Sequence, residues 1–152
     1  MAHHEGRGRA MQPILRSVAA VIAGFAVASV VMMAVETVNG KVLYPELGTM
    51  AEDVTDREAL REVVASAPVG SLLVVILGWL LGSTAGGYVA ARIGASAPER
   101  HALALGVLLT LAGILNNLLV PPPPWMWVIS LLLFVPAAWL GARLAQRSVP
   151  AR

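Results

Sequence analysis

Four long apolar runs alternate with short polar segments along this chain. The runs cover 14–38, 69–93, 103–120 and 125–144. A helix rises about 1.5 Å per residue, so about 20 apolar residues span the roughly 30 Å hydrocarbon core of a membrane. The first run is too long for the apolar region of a signal peptide, and further runs follow it. The pattern predicts an all-α fold, a transmembrane four-helix bundle forming one domain over 13–147.

The polar segment between the first two runs predicts one further, short helix. Gly40 and Pro45 are expected to end the first span. Thr55 is followed three residues later by Glu58, a spacing typical of a capping box, and apolar residues then recur at helical spacing. The segment therefore predicts an amphipathic helix at about 56–66 in the first extracytoplasmic loop, lying on the membrane surface over the mouth of the bundle.

Small residues recur every four positions along the spans. The second span carries a ridge of Gly78, Gly82, Gly86 and Ala90, and beside it a second ridge of Ser83, Gly87 and Ala91. The other spans carry matching small positions, which are Ala20, Gly24, Ala28, Gly106, Gly113, Ala137 and Gly141. Such surfaces let helix backbones approach closely in lipid. Two interpretations follow: an internal seam between the first and second spans, or a seam between separate proteins.

Charge then fixes the predicted topology. With four spans, three groups of arginines fall on one side of the membrane: Arg7, Arg9 and Arg16, then Arg92 and Arg100, then Arg143, Arg147 and Arg152. The segment 39–68, with six acidic and three basic residues, and the turn at Pro121–Pro124 fall on the other. By the positive-inside rule both termini are cytoplasmic, as a disordered tail at 1–12 and a short tail at 148–152.

Composition narrows the class of protein. The chain is 57% hydrophobic and 13% charged, where soluble domains carry about 25% charged residues. It is rich in alanine and has ten arginines but one lysine, a bias typical of GC-rich bacterial genomes. We therefore expect a multi-pass protein of the bacterial cytoplasmic (inner) membrane, with membrane lipids as neighbours.

One polar cluster is a candidate site. Glu36 is the only acidic residue within a span, two residues from its outer end, whereas the arginines of the spans lie at their inner ends. Asn39, Asn117 and Ser130 are expected at a similar depth in the outer leaflet. The cluster can be structural, since interhelical polar hydrogen bonds stabilise membrane bundles. It can also be a ligand site, whereas a proton relay is disfavoured because no second ionisable residue lies deeper in the membrane.

The sequence lacks the residue patterns of metal sites, catalytic nucleophiles, phosphate-binding loops and nucleic-acid surfaces. The chain has no cysteine, and His3, His4 and His101 form no ligand pair on one helix face, so no metal or other cofactor is predicted. The serines lack a histidine and acid context for a nucleophile, so no enzyme is predicted. Gly86-Gly87 follows no strand, which disfavours a phosphate-binding loop, and no basic stripe with interleaved aromatics indicates nucleic acid.

The pattern Gly78-Trp79-Leu80-Leu81-Gly82-Ser83-Thr84-Ala85-Gly86-Gly87-Tyr88-Val89-Ala90-Ala91-Arg92-Ile93 resembles the second helix of a family of small, uncharacterised bacterial four-helix inner-membrane proteins. That family also shows a glutamate near the end of helix one followed by Tyr-Pro, here Glu36 and Tyr44-Pro45, and a segment like 134–142 after a proline-rich turn. The resemblance implies the fold and the membrane location. It implies no activity.

Two functions are consistent with these patterns. The first is a structural or accessory subunit that associates with itself or with a larger membrane complex through its small-residue helix faces. The second is a small carrier or binder of an apolar or lipid-like molecule, with the polar cluster as a gate in the outer leaflet. A cavity reaching Glu36 and Asn117 would favour the second.

Overall fold

A computed structural model describes residues 3–54, 56–94 and 96–148, with side chains from Gln12 onward. The described part of the chain forms six α-helices: α1 (His3–Val38), α2 (Pro45–Glu52), α3 (Arg57–Ser66), α4 (Val69–Ile93), α5 (Pro98–Leu119) and α6 (Pro124–Arg147). Four segments are long and apolar enough to cross a membrane: Gln12–Leu43, Val69–Ile93, Pro98–Leu119 and Pro124–Arg147. The predicted all-α fold, with four long apolar helices packed as a bundle, is confirmed.

The long helices extend beyond their apolar runs. The structure differs from the predicted tail, because α1 begins at His3 and its backbone is helical through residues 3–12. Extending a formed helix adds one hydrogen bond for each residue fixed, so polarity alone does not stop it. α5 starts at Pro98, a turn earlier than predicted, because proline fits the first position of a helix. Residues 149–152 of the predicted second tail lie outside the described residues.

The link after α1 is more helical than predicted. A π-helical turn, Asn39–Leu43, continues α1, and the Tyr44 N–H donates to Asn39 O at 2.8 Å. The first span ends at Leu43, two residues before Pro45, which then occupies the first position of α2. The turn and α2 lie backbone against backbone, since a Cβ added at Gly48 would overlap the Gly40 carbonyl. Gly40 therefore allows close contact with α2, and Pro45 starts that helix. Neither role follows from the residue type alone.

The predicted amphipathic helix is α3, and two sets of hydrogen bonds hold its N-terminal end. Its N-cap is Asp56, whose Oδ1 accepts from the Ala59 N–H at 2.8 Å. Thr55, the predicted cap, lies outside the described residues. The Arg57 guanidinium donates from Nε to Leu119 O and from Nη2 to Leu118 O, each at 3.0 Å. These are carbonyls that the end of α5 leaves without a helical partner, so Arg57 ties α3 to α5.

Helix α4 is the axis of the bundle. It packs against α1, α5 and α6, while α6 also packs against α5, and α1 meets α5 over a much smaller surface. The core includes Trp79 and Phe134, whose ring centroids lie 5.7 Å apart, and the fully buried Leu105. Of the four spans α1 is the least covered by the rest of the chain.

The charges are separated onto two ends of the bundle. Arg16 Nε donates to Ile93 O at 2.7 Å, which places the start of the α1 span beside the end of α4. Arg143 pairs with Glu99 at 3.3 Å, which places the end of α6 beside the start of α5. We call this the arginine-rich end. The opposite, acidic end carries α2, α3 and the turn before α6.

Replacing Arg57 with alanine should loosen the acidic end while leaving the bundle folded. Amides of α3 and of the last turn of α5 should exchange with deuterium about threefold to tenfold faster, because hydrogen bonds from a charged group to two carbonyls are lost. Hydrogen-exchange mass spectrometry in detergent measures this. Arg61→Ala is the control, since among the described residues the Arg61 side chain pairs with Glu58 of the same helix, at 3.6 Å. Equal effects of the two variants would contradict the role of Arg57.

Candidate functional site

The first small-residue ridge of α4 faces α1 through the membrane. A Cβ added at Gly82 would lie 2.7 Å from Ala28 O, and one at Gly24 would lie 2.8 Å from Gly86 O and 2.9 Å from the Ala90 Cβ. Ala20, Ala28 and Ala90 are fully buried, and Gly78 faces Val35 and the Met32 carbonyl. The pairs advance by four residues on each helix in opposite directions, as expected for an antiparallel seam.

The second ridge of α4 faces α6. A Cβ at Gly87 would overlap the Ala138 carbonyl, and one at Gly141 would overlap Thr84 O and lie 2.6 Å from Tyr88 N. On α5, the added Cβ would lie 2.8 Å from Val135 Cα at Gly106 and 2.6 Å from the Phe134 ring at Gly113. Ala137 is buried beside these contacts. The small-residue faces thus lie against helices of the same chain, which leaves little of them for a separate protein.

The predicted polar cluster forms two separate pairs. Asn39 Nδ2 donates to Ser71 Oγ at 3.0 Å and to Ser71 O at 3.2 Å, across the α1–α4 seam. Asn117 Nδ2 donates to Ser130 Oγ at 2.9 Å, and Ser130 Oγ donates to Trp127 O at 2.8 Å, across the α5–α6 seam. No hydrogen bond between described residues joins the two pairs.

Each pair leaves one acceptor free within a buried site. Asn39 Oδ1 and Asn117 Oδ1 have no hydrogen-bond partner among the described residues, and the same holds for Ser83 Oγ on α4. Asn117, Ser71 and Ser130 are each 1% exposed. The hydrogen bonds that the two amides donate hold the helices in register, whereas each unpaired buried carbonyl oxygen reduces the net stabilisation.

Glu36 stands apart from both pairs. Its side chain is exposed on α1, and the Trp79 indole lies beside its carboxyl group. It lies about 30 Å along the helix axis from Arg16 at 1.5 Å per residue. That distance is about the thickness of the hydrocarbon core, so Arg16 and Glu36 lie close to opposite ends of a membrane-spanning length of helix. The geometry supports the structural interpretation of this residue rather than a deep ionisable site.

The cavities lie elsewhere. A cavity of about 430 Å³ at the acidic end is lined by Tyr44, Met50, Pro68 and their neighbours. A cleft of about 600 Å³ lies between α1 and α5 at the arginine-rich end. Two further cavities, of about 420 Å³ and about 120 Å³, lie between α3 and the proline turn or the end of α5. The predicted cluster of Glu36, Asn39, Asn117 and Ser130 lines none of these four.

The sequence missed two contributors to these contacts. Ser71 is the direct partner of Asn39, and its position near the outer end of the second span was the available signal. Arg57 is one of three basic residues in the segment 39–68, and nothing in the local sequence indicates that it reaches α5. Within the described residues, no three histidine or acidic side chains are grouped so that they could hold a metal ion.

Comparisons with family models, with curated proteins and with solved structures found no match for this chain. The resemblance of the second span to a family of small bacterial membrane proteins therefore stays a likeness of motifs. The four long apolar helices support a more general statement than membership of a family. The chain is an integral membrane protein with four spans. Its activity has to be inferred from the surfaces that the bundle leaves open.

Glycine-to-alanine substitutions should destabilise the bundle in a graded order. Gly86→Ala brings a methyl group onto the Gly24 carbonyl and within 2.9 Å of the Ala28 Cβ, so it should cost about 1–3 kcal/mol. Gly78→Ala should cost less, because its nearest neighbours are atoms of the Val35 side chain at 3.1 and 3.2 Å. Gly40→Ala is the control, with its nearest atom at 3.5 Å. Unfolding by sodium dodecyl sulfate measures the order, and three equal values would refute it.

The buried asparagine pairs give a matched comparison on one helix. Asn117→Ala should lower the free energy of unfolding by about 0.6–2 kcal/mol, because its bond to Ser130 is lost. Asn116→Ala should have little effect, since Asn116 is exposed. A double-mutant cycle of Asn117 with Ser130 should show coupling, while one of Asn117 with Asn39 should be additive within about 0.5 kcal/mol. Strong coupling between the two asparagines would contradict the two separate pairs and favour the single polar cluster predicted from the sequence.

Proposed function

We propose that this protein is a non-catalytic structural or accessory subunit of the bacterial inner membrane. It associates with a second copy or with a larger membrane complex. The observation that supports this is the composition of the outer face of α1, which differs from the lipid-facing surfaces of the other three spans. Membrane lipids cover the remaining surface.

The proposed orientation has both termini in the cytoplasm. The arginine-rich end gathers Arg16, Arg92, Arg100, Arg143 and Arg147, while the acidic end carries the exposed acids of α2 and α3. Arginine and lysine are enriched in the cytoplasmic loops of membrane proteins. The arginine-rich end accordingly faces the cytoplasm.

The proposed association surface is the outer face of α1, defined here by Ala19, Ala26, Val30, Met33 and Thr37. These residues are exposed and lie on the side of α1 away from α4. The small-residue ridges are not used, because helices of the same chain fill them. Association through the outer face of α1 therefore replaces the ridge-mediated association expected from the sequence.

The outer face of α1 combines the small side chains of Ala19, Ala26 and Thr37 with the large exposed side chains of Val30 and Met33. Exposed positions on the other spans are mostly large and apolar, such as Leu77 and Leu81 on α4 and Leu111 and Leu115 on α5. Two alanines on one face let another helix approach closely, which favours packing between helices in lipid. Because α1 is also the least covered span, it has the most surface to offer.

The carrier hypothesis has less support. It required a cavity beside Glu36 and Asn117, and the four cavities described above lie elsewhere. Asn39 and Asn117 are instead engaged with serines of neighbouring helices. A polar gate in the outer leaflet is therefore not proposed.

A photo-reactive amino acid tests the association surface. Benzoylphenylalanine at Val30 should cross-link in native membranes to a second copy or to another membrane protein, and the mass of the product separates the two. The same residue at Leu111 on the outer side of α5 is the control and should react mainly with lipid. Ala26→Leu should reduce the cross-link at Val30 about threefold or more, since a contact loss of about 1 kcal/mol changes an equilibrium by that order. Equal protein cross-linking from both sites, or from neither, would contradict the proposal.

A further inference from the structure

The cleft between α1 and α5 has an apolar wall and a basic mouth. Its lining includes Val18, Val21 and Ile22 of α1 and Arg100, His101 and Ala104 of α5. Toward the membrane centre it ends where α5 reaches α1, since a Cβ added at Gly24 would lie 2.9 Å from Leu105 Cδ2. Its volume of about 600 Å³ is within the range of about 300–1,000 Å³ of small-molecule sites.

The apolar wall is open to lipid on one side. Val18 is 51% exposed and Ile22 is 62% exposed, although both line the cleft. The cleft exists because the small ridge of α1 holds that helix against α4, while α5 packs mainly on α6 and α4. An acyl chain can therefore enter sideways from the membrane and lie along α1 without displacing a protein contact.

Arg100 supplies an uncommitted positive charge at the mouth. Three other arginines at this end are engaged within the chain: Arg16 with Ile93 O, Arg92 over the Tyr88 ring, and Arg143 with Glu99. Arg100 is exposed, and its guanidinium has no ion-pair or hydrogen-bond partner among the described residues, although its backbone N–H donates to Ala97 O at 3.1 Å. The described lining of the cleft contains no acidic side chain. The mouth is complementary to an anion.

The start of α5 adds to this positive field. α5 begins at Pro98 after Ala97, which provides no side-chain cap. A helix of this length carries about half a positive charge at its N-terminus. In the first turn of α5, Pro98 has no N–H and the Arg100 and His101 N–H groups donate to Ala97 O, so the Glu99 N–H is the amide left without a partner among the described residues. The Glu99 side chain in the same turn pairs with Arg143. His101 Nδ1 lies 2.7 Å from Ala97 O, so that nitrogen carries a proton and donates to the carbonyl. This bond fixes the imidazole at the wall of the cleft.

We propose that this cleft binds one anionic phospholipid from the leaflet at the arginine-rich end. The phosphate lies between Arg100 and the first turn of α5, and an acyl chain follows Val18, Val21 and Ile22. Basic pockets between transmembrane helices on this side of a membrane are suited to acidic headgroups. A neutral headgroup would leave Arg100 without its counter-charge.

Native mass spectrometry of the full chain in mild detergent tests the proposal, with titration by phosphatidylglycerol and by phosphatidylcholine. We expect one phosphatidylglycerol to bind more tightly than phosphatidylcholine. Arg100→Gln should weaken phosphatidylglycerol binding about threefold to tenfold, the range for one arginine near a lipid surface. Arg147→Gln is the matched control, because it makes the same charge change at the same end without lining the cleft.

A second variant tests the cleft without changing the charge of the protein. Ala104→Phe fills the cleft, so it should reduce phosphatidylglycerol binding while circular dichroism stays unchanged. Excess inorganic phosphate should not displace the lipid, since the acyl chain contributes contacts that phosphate lacks. The proposal is overturned if Arg100→Gln and Arg147→Gln behave alike, if Ala104→Phe binds phosphatidylglycerol normally, or if phosphate displaces the lipid completely.

Discussion

The closest approach of α1 to α4, at Gly24 and Gly86, is the contact on which the rest of the bundle depends. Lipid tails are as apolar as the helix surfaces, so burial from water does not drive these helices together. Contact between backbones must do so instead, and it requires positions without side chains. At Gly24, Gly82 and Gly86 an added methyl group would overlap a carbonyl oxygen or a neighbouring side chain of the facing helix. Because α4 has a second such face toward α6, it becomes the axis around which the other spans pack.

Polar groups then fix the register that the glycine contacts leave adjustable. One asparagine–serine pair crosses the α1–α4 seam and another crosses the α5–α6 seam. At the two ends, arginines donate to the carbonyls where helices stop: Arg16 at the end of α4 and Arg57 at the end of α5. A helix C-terminus carries partial negative charge and unpaired carbonyls, so a guanidinium from a neighbouring helix satisfies both. Each arginine also joins two elements that are distant in sequence.

The sequence predicts how deep a residue lies in the membrane better than it predicts which way its side chain points around the helix axis. The positions of the four spans followed from their apolar runs, and the helix at Arg57–Ser66 from its spacing. Glu36, Asn39, Asn117 and Ser130 were expected together because their distances from the helix ends are similar. Depth follows from residue number, but the direction a side chain faces depends on which helix is its neighbour. Asn117 faces α6 because Gly106 and Gly113 on the same helix lie against α6.

The same limit explains the link between the first two spans. Gly40 and Pro45 are expected to end the first span, yet Gly40 lies within the π-helical turn against Gly48, and Pro45 also fits the first position of α2. Both effects depend on a neighbour that the local sequence does not specify. Arg57 is the longer-range case, since its carbonyl partners Leu118 and Leu119 belong to another span.

The small ridge of α1 also determines what the protein leaves open. A helix held against α4 by one narrow face cannot use that face toward α5 as well, so α1 meets α5 over a small surface that includes Leu105 against Gly24. Below that point the space is the cleft with Arg100 at its mouth, and on the far side of α1 is a face with two alanines. The cleft and the outer face of α1 therefore have one origin. Closing the cleft would require α1 to give up its contact with α4, the contact that defines the bundle.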